Sequence, residues 1–211
     1  MLQAQVFREQ RSDVMHDMIA NNSFGSVITM QTGSIVADHL PLNIHPEIGS
    51  HGTLRGHIAR SNPMTKLLDN DQEILIIFQG PQHYVSPSWY PSKALHEKVV
   101  PTWNYIMVHA RGKVKFHDDA DWIYNHLVEL TARNEVGRDK PWKVSDAPPQ
   151  FIRSQLKALT GIEIEITSLQ GTWKTSQNKS LDDNIGVCQG LMSEGSDMAT
   201  LMATQVVRSR N

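Results

Sequence analysis

The stretch over residues 73–116, EILIIFQGPQHYVSPSWYPSKALHEKVVPTWNYIMVHARGKVKF, gives the clearest indication of the fold class. It begins with an apolar, β-branched run over 73–79, which predicts a strand buried on both faces. It ends with residues 105–116, where apolar and polar residues alternate and predict a second, longer strand. The segment between them contains four prolines. Its aromatic residues favour an ordered, functional loop over a disordered one.

Shorter elements flank this stretch on both sides. On the N-terminal side the patterns predict a helix over 12–22, strands over 24–30, 35–44 and 53–59, and a short helix over 62–68. On the C-terminal side they predict helices over 118–134 and 150–158, a strand over 161–169, and helices over 183–192 and 197–207. Strands followed by helices indicate an α+β fold, here an antiparallel barrel with helices at its side.

Bulk composition excludes several classes of protein. The net charge is −2, so no overall basic field attracts nucleic acid, although room remains for a local basic patch. The single cysteine, Cys188, excludes a disulfide framework and makes a reducing cytoplasm the simplest compartment. No run approaches the roughly 20 apolar residues that span a bilayer, so no membrane partner is expected.

Common catalytic motifs are missing as well. The ten histidines form no H-E-x-x-H arrangement and have no cysteine partners, so no metal site is expected. Neither a G-x-S-x-G elbow nor a phosphate-binding glycine loop occurs. No catalytic residue is predicted.

Three segments carry candidate binding chemistry. The run over 54–63, LRGHIARSNP, places cationic side chains before a helix start, which suits an anion site and a capped turn equally well. The loop over 86–105 supplies flat rings for a planar ligand or a dimer seam, although composition alone favours an aromatic mini-core. Residues 171–179, GTWKTSQNK, repeat the same chemistry. Two such segments that converge would suit one polar aromatic ligand.

Six blocks of sequence follow one another along the chain. They are ADHLP (37–41), GTLRGHIARSNP (52–63), FQGPQHYVSPSWYP (78–91), KVVPTWNY (98–105), PWKVSDAP (141–148) and WKTSQNK (173–179). Together they resemble the PaiB family, which is described as FMN-binding negative transcriptional regulators. The resemblance covers residues 1–192, and we expect these to form an FMN-binding domain followed by a helical or flexible tail over 193–211.

The resemblance implies a split β-barrel similar to pyridoxamine-phosphate oxidases. It also implies a homodimer with FMN at the subunit interface. By analogy with that fold, we expect FMN contacts from thirteen residues. These are Asp38, His39, Leu54, His57, Arg60, Asn62, Thr102, Trp103, Asn104, Trp173, Lys174, Gln177 and Asn178.

Residue chemistry suggests a role for some of these side chains. Arg60 and Lys174 are predicted to bind the phosphate, which needs charge-assisted donors. The ring edge or the ribityl hydroxyls would bond to polar side chains, here His57, Asn104, Gln177 and Asn178. Trp103 or Trp173 would cover the ring.

Three functions remain open from the sequence. A flavin-responsive regulator, with DNA as a partner, is what the resemblance implies, yet no convincing helix-turn-helix is present. An FMN-dependent oxidoreductase is the alternative, either a flavin or NAD(P)H reductase or a haem-handling relative, because the fold does not fix the chemistry. A dimer that has lost its cofactor is the third.

Overall fold

The structure is a computed structural model, and it describes residues 4–209. The strands are β1 (Arg8–Glu9), β2 (Phe24–Gln31), β3 (Ser34–Pro41), β4 (Asn43–His45), β5 (Thr53–Ala59), β6 (Glu73–Val85), β7 (Thr102–His117) and β8 (Leu159–Lys174). The helices are α1 (Ser12–Asn21), α2 (Met64–Leu67), α3 (Lys93–His96), α4 (Ala120–Asn134), α5 (Pro149–Leu156), α6 (Leu181–Ser193) and α7 (Asp197–Arg208). Single 3-10 turns cover Gln5–Phe7, Pro87–Trp89 and Val144–Asp146.

All eight strands belong to one sheet. Its order is β3-β2-β6-β7-β8-β5-β4, and β1 pairs with β8. The printed pairings of β1 with β8, β2 with β3 and β6, and β5 with β4 and β8 are antiparallel. The predicted α+β class with an antiparallel sheet is therefore confirmed. No helix among residues 4–209 is long and apolar enough to cross a membrane.

The chain forms two compact units, and neither is a continuous stretch of sequence. Unit 1 contains the described residues up to Met15, then Gln79–Val108, then the described residues from Gln170 onward. Unit 2 contains His16–Phe78 and His109–Leu169. The chain passes from one unit to the other four times, once inside α1 and once inside each of its three longest strands, β6, β7 and β8.

Within unit 2 the sheet curls until β3 contacts β5, although these strands lie near opposite ends of the strand order. Gly56 lies at this closure. A Cβ atom there would lie 2.7 Å from Leu42 Cδ2 and 3.1 Å from the Pro41 carbonyl oxygen. Only glycine lets the two strands approach so closely. Buried aliphatic side chains such as Ile58, Ile76 and Ile162 fill the interior.

In unit 1 the last two helices build a separate apolar core. Its buried members are Val85, Tyr90, Val187, Leu191, Ala199, Met202, Ala203 and Val206. The Trp89 indole packs directly on Gly190 of α6, where a Cβ atom would lie 2.2 Å from the ring. Within the segment 193–211, for which a helical or flexible tail is predicted, Asp197–Arg208 form a helix that packs through its buried face, and residues 210–211 lie outside the described part.

The largest difference from the predicted elements is the length of three strands. The predicted loop over 80–104 contains the end of β6, the turn at Pro87–Trp89, α3 and the start of β7. Trp173 and Lys174 belong to β8, although the prediction places them after it. Gly80 and Pro81 resemble a turn signal, but β2 pairs with β6 only at residues 75–77, so the missing N–H of Pro81 costs no bond to β2.

Candidate functional site

Unit 1 contains a cleft between the start of β7 and the end of β8. Its volume is about 210 Å³ and it is open to solvent on one side. The lining residues are Phe7, Val100, Pro101, Thr102, Asn104, Lys174, Ser176, Asn178 and Lys179. Four of these nine, Thr102, Asn104, Lys174 and Asn178, were predicted from the sequence. The structure therefore brings together the two segments expected to converge.

Two lysines give the cleft its charge. Lys174 Nζ donates hydrogen bonds to Thr102 Oγ1 and to the Trp103 carbonyl oxygen. Burial lowers the pKa of Lys174, and the nearby charge of Lys179 lowers it further. Among residues 4–209 neither lysine forms an ion pair with a carboxylate. The cleft therefore carries positive charge that an anionic group can neutralise.

Side-chain hydrogen bonds hold the segment over 175–179 to the strands around it. Ser176 has a φ of +64°, a left-handed conformation that is rare outside glycine and needs support from its surroundings. Its hydroxyl exchanges hydrogen bonds with the Asn104 side chain at 2.9 and 3.1 Å. Gln177 Oε1 accepts from Thr175 N at 2.8 Å, and Gln177 Nε2 donates to the carbonyl oxygens of Trp173 and Val6. We call this segment, residues 175–179, the cleft loop.

Aromatic side chains flank the cleft. The Trp103 side chain is 54% exposed, and the Tyr84 ring meets it edge-on with centroids 6.1 Å apart. Lys179 Nζ lies 4.9 Å from the centroid of the buried Tyr90 ring. Val100, at the cleft wall, is 70% exposed. Exposed apolar groups beside a polar cleft suit a planar ligand or a protein surface.

Two side chains that were predicted to bond to FMN, Asn104 and Gln177, form hydrogen bonds within the protein. Asn104 is buried, and both of its amide atoms are engaged by Ser176, so it shapes the cleft loop. Gln177 is likewise engaged within the loop. Asn178 is exposed at the cleft. Trp173 is half-buried, and its ring lies 2.7 Å from the position of a Cβ atom on Gly171.

The other predicted site residues lie in unit 2. Asn62 Nδ2 donates to Asp38 Oδ1 at 2.9 Å, and Asn62 Oδ1 accepts from Met64 N at the start of α2. His39 Nδ1 bonds to Ser26 Oγ at 3.0 Å. Leu54 is fully buried in β5. These contacts fix the barrel wall and the turn into α2, and flavin contacts from them stay a prediction.

Arg60 also lies in unit 2, where three of its donors are engaged. It donates to Asp118 Oδ1 at 2.8 Å, to the Lys157 carbonyl oxygen at 3.0 Å and to the Leu159 carbonyl oxygen at 2.9 Å. Residues 54–63 were predicted to form either an anion site or a capped turn. The bonds of Arg60, together with Asn62 at the start of α2, match the capped turn. The phosphate contact of Arg60 stays a prediction.

His57 is part of a polar cluster that the sequence did not reveal. Its Nδ1 lies 3.2 Å from His126 Nε2, and Trp122 stacks between His117 and His126. Burial lowers the pKa of both His57 and His126, the latter to about 4, with further contributions from the charges of His57, His45 and Arg55. Within residues 4–209 no group of three His, Cys, Asp or Glu side chains is arranged to hold a metal.

Sequence reasoning missed five residues of the cleft. Ser176 and Lys179 lie inside the block WKTSQNK, so that motif could have predicted them. Val100 and Pro101 lie inside KVVPTWNY, although their apolar character gave no binding signal. Phe7 reaches the cleft from the N-terminal segment, and no local pattern pointed to it.

Comparisons with known proteins place the chain in a family. A family model described as "Putative FMN-binding domain" matches residues 1–168. The chain is 32% identical over 197 residues to the Bacillus subtilis (strain 168) protein "Protease synthase and sporulation protein PAI 2", and the match covers 93% of this chain and 92% of that protein. It is 32% identical over 240 residues to the uncharacterized protein AN0679 of Emericella nidulans, covering 97% and 95% of the two chains.

Solved structures show the same fold at low identity. The FAD and haem binding protein from Mycobacterium smegmatis has a TM-score of 0.60 and 15% identity, with 84% of this chain and 78% of that chain covered. The flavocytochrome Anf3 from Azotobacter vinelandii has a TM-score of 0.59 and 11% identity, with 88% and 78% covered. The fold is the predicted split β-barrel with peripheral helices. The family match and the relative from Bacillus subtilis together show that this chain belongs to the FMN-binding PaiB family, and FMN is its cofactor.

Proposed function

We propose that this protein is a homodimeric, FMN-dependent regulator of the PaiB type and that the cleft of unit 1 binds the phosphate end of FMN. The observation that carries the cofactor's position is the pair Lys174 and Lys179, two cations in one cleft that form no ion pair among the described residues. The Asp183 carboxylate lies near enough for the charge of Lys179 to lower its pKa, but it accepts its hydrogen bonds from Ser92. A phosphate is the group that such a donor set accepts. The sequence predicted Lys174 for this role, and Lys179 joins it here.

The size of the cleft supports a dimer. Sites for drug-sized ligands measure about 300–1,000 Å³, whereas this cleft measures about 210 Å³. It therefore suits one part of FMN, and a second copy of the chain would supply the remaining wall. The exposed Val100 and Trp103 give that copy an apolar surface beside the opening.

Each group around the cleft has a proposed task. Lys174 and Lys179 hold the phosphate, and Asn178 offers an exposed amide to the ribityl hydroxyls. Asn104 and Gln177 shape the cleft loop, as their bonds indicate. Trp103 offers an exposed face to the ring. When bound, FMN supplies hydride and single-electron transfer.

Paired titrations with FMN and riboflavin test the phosphate site. Riboflavin lacks the phosphate, so the ratio of the two dissociation constants isolates the phosphate contribution. Lys174→Met and Lys179→Met should each reduce the preference for FMN by about ten-fold, the usual size of one charge-assisted bond. Lys115→Met, at an exposed lysine of β7, is the matched control. An unchanged ratio in both cleft variants would contradict the assignment.

The regulatory part of the proposal rests on family membership. The net charge of −2 means that any DNA contact depends on a local surface, and binding should weaken steeply with salt. Gel shifts on the promoter upstream of the protein's own gene, with and without FMN, test this role. No shift at low salt in either state would remove DNA as a partner. The single cysteine suits a reducing cytoplasm as the compartment.

One observation favours an oxidoreductase as a second candidate. The cleft is open to solvent and Trp103 beside it is exposed, so a reductant has access to a bound flavin. Mixing the FMN-loaded protein with NADH or NADPH without oxygen should then bleach the visible absorbance of the flavin. Bleaching no faster than for free FMN would exclude these two reductants.

A further inference from the structure

We infer that Asn184 of α6 is a positioning residue for the phosphate end of FMN. Through this residue α6, which packs against α7, restrains the cleft loop. The inference rests on the proposed function of the cleft. Residues 1–168 match the family model, so the cleft loop and both helices lie beyond the matched segment.

Asn184 reaches the cleft loop at its most constrained point. Its side chain is 2% exposed, and its Nδ2 donates to the Ser176 carbonyl oxygen at 2.8 Å. The same carbonyl accepts from Lys179 N at 3.0 Å. Asn184 therefore fixes the oxygen that in turn fixes the backbone of Lys179.

The bond also supports an unfavourable backbone conformation. Ser176 keeps a φ of +64° without being glycine, and such a residue persists only where its surroundings over-determine it. Asn104 holds its side chain and Asn184 holds its carbonyl. Removal of Asn184 leaves one of these two restraints, so the loop regains freedom and Lys179 loses its defined position.

The helix that carries Asn184 is itself firmly anchored. Asp183, the preceding residue, accepts hydrogen bonds from Ser92 N at 3.0 Å and Ser92 Oγ at 2.8 Å. Trp89 packs on Gly186 and Gly190 of the same helix. On its other side, buried Met202 and Val206 of α7 join the core of unit 1. Because these contacts fix α6, the hydrogen bond from Asn184 restrains the cleft loop.

The test compares Asn184→Ala with Gln189→Ala, an amide-to-alanine change at an exposed position of the same helix. Asn184→Leu is measured beside them because it removes the donor while keeping the number and branching of the side-chain heavy atoms. We expect both Asn184 variants to weaken FMN binding by about ten-fold and to leave riboflavin binding within about two-fold. In the cofactor-free protein, hydrogen exchange of the Lys179 amide should become faster. Gln189→Ala should change neither quantity.

Two results overturn the inference alone. One is an unchanged preference for FMN over riboflavin in folded Asn184 variants of a wild type that shows this preference. The other is equal weakening of both flavins, which would make Asn184 a support of the whole cleft. A wild type that binds both flavins equally overturns the phosphate site and this inference together.

Discussion

His57 Nδ1 and His126 Nε2 face each other at 3.2 Å in unit 2. One ring must donate its proton to the other, so the pair is satisfied only while at least one nitrogen of the contact is unprotonated. The remaining nitrogen of His126, Nδ1, is buried without a hydrogen-bond partner in the described residues. Several charged groups surround the pair. Arg55 lies over the Trp122 ring, and Glu163 lies beside both Arg55 and His117. Glu47 and Glu129 lie beside His45.

This arrangement predicts acid-labile packing of α4. The pKa of His126 falls from 6.5 to about 4, first through burial and then through the charges of His57, His45 and Arg55. The folded state therefore binds the proton less tightly than the unfolded chain. The free energy of unfolding should be highest above about pH 6.5 and fall by up to about 1.4 kcal/mol per pH unit between there and about pH 4. Urea unfolding across that range measures the slope.

A variant isolates the contribution of His126. His126→Phe removes the titrating group and keeps a ring against Trp122, so the slope of stability against pH should become shallower. His96→Gln, at an exposed histidine of α3, should retain the wild-type slope. Equal slopes in His126→Phe and the wild type would show that the acid sensitivity arises elsewhere.

The histidine cluster shows where sequence reasoning stopped. Trp122, His126 and Glu129 recur at helical spacing on α4, a pattern that indicates one face of a helix and nothing about its partner. Their partner face comes from β5, whose Arg55 pairs with Glu163 of β8 across 108 positions of sequence. The closure of the barrel sets the register between β5 and β8, and no local sequence pattern predicts that register.

The cleft was more accessible to prediction because its chemistry is concentrated in two short blocks. The blocks KVVPTWNY and WKTSQNK predict four residues of the cleft from the sequence alone, namely Thr102, Asn104, Lys174 and Asn178. The strand ends were harder. Gly80 and Pro81 looked like a turn, while the sheet carries β6 on to Val85. The bonds that Asn104 and Gln177 make within the cleft loop could not be predicted from the sequence either, and FMN contacts from these two amides stay a prediction.

The bridge between Asn62 and Asp38 predicts a structural cost that is separable from flavin binding. Asn62→Ala removes the bond to Asp38 and the bond to Met64 N at the start of α2. The loss should lower the free energy of unfolding by about 1–2 kcal/mol. Asp38→Asn keeps an acceptor oxygen at the bridge and should cost less. Urea unfolding measures both, and equal costs would contradict the role of this bond.

The contact between Gly186 and Trp89 predicts a strong steric effect in α6. A Cβ atom at residue 186 would lie 2.0 Å from the Trp89 carbonyl oxygen, and a backbone atom cannot move aside as a flexible side chain does. Gly186→Ala should therefore lower the free energy of unfolding by at least about 1–3 kcal/mol, despite the better helix propensity of alanine. Gln189→Ala raises helix propensity slightly at an exposed position and should not destabilise the protein. Thermal unfolding that leaves Gly186→Ala as stable as Gln189→Ala would contradict this packing.

Val136 and Val100, the two most exposed valines of the described residues, allow a matched test of the proposed dimer. Val100 is 70% exposed at the cleft wall in unit 1, and Val136 is 80% exposed in unit 2 just after α4. If a second copy covers the cleft opening, Val100→Asp places a charge in an apolar interface, and desolvating that charge should raise the dimer dissociation constant at least about ten-fold. FMN affinity should fall with it, because the second copy supplies part of the site. Val136→Asp adds the same charge and should change neither quantity. Light scattering across a dilution series measures the assembly, and a monomeric wild type or an unaffected Val100→Asp dimer would exclude this surface as the interface.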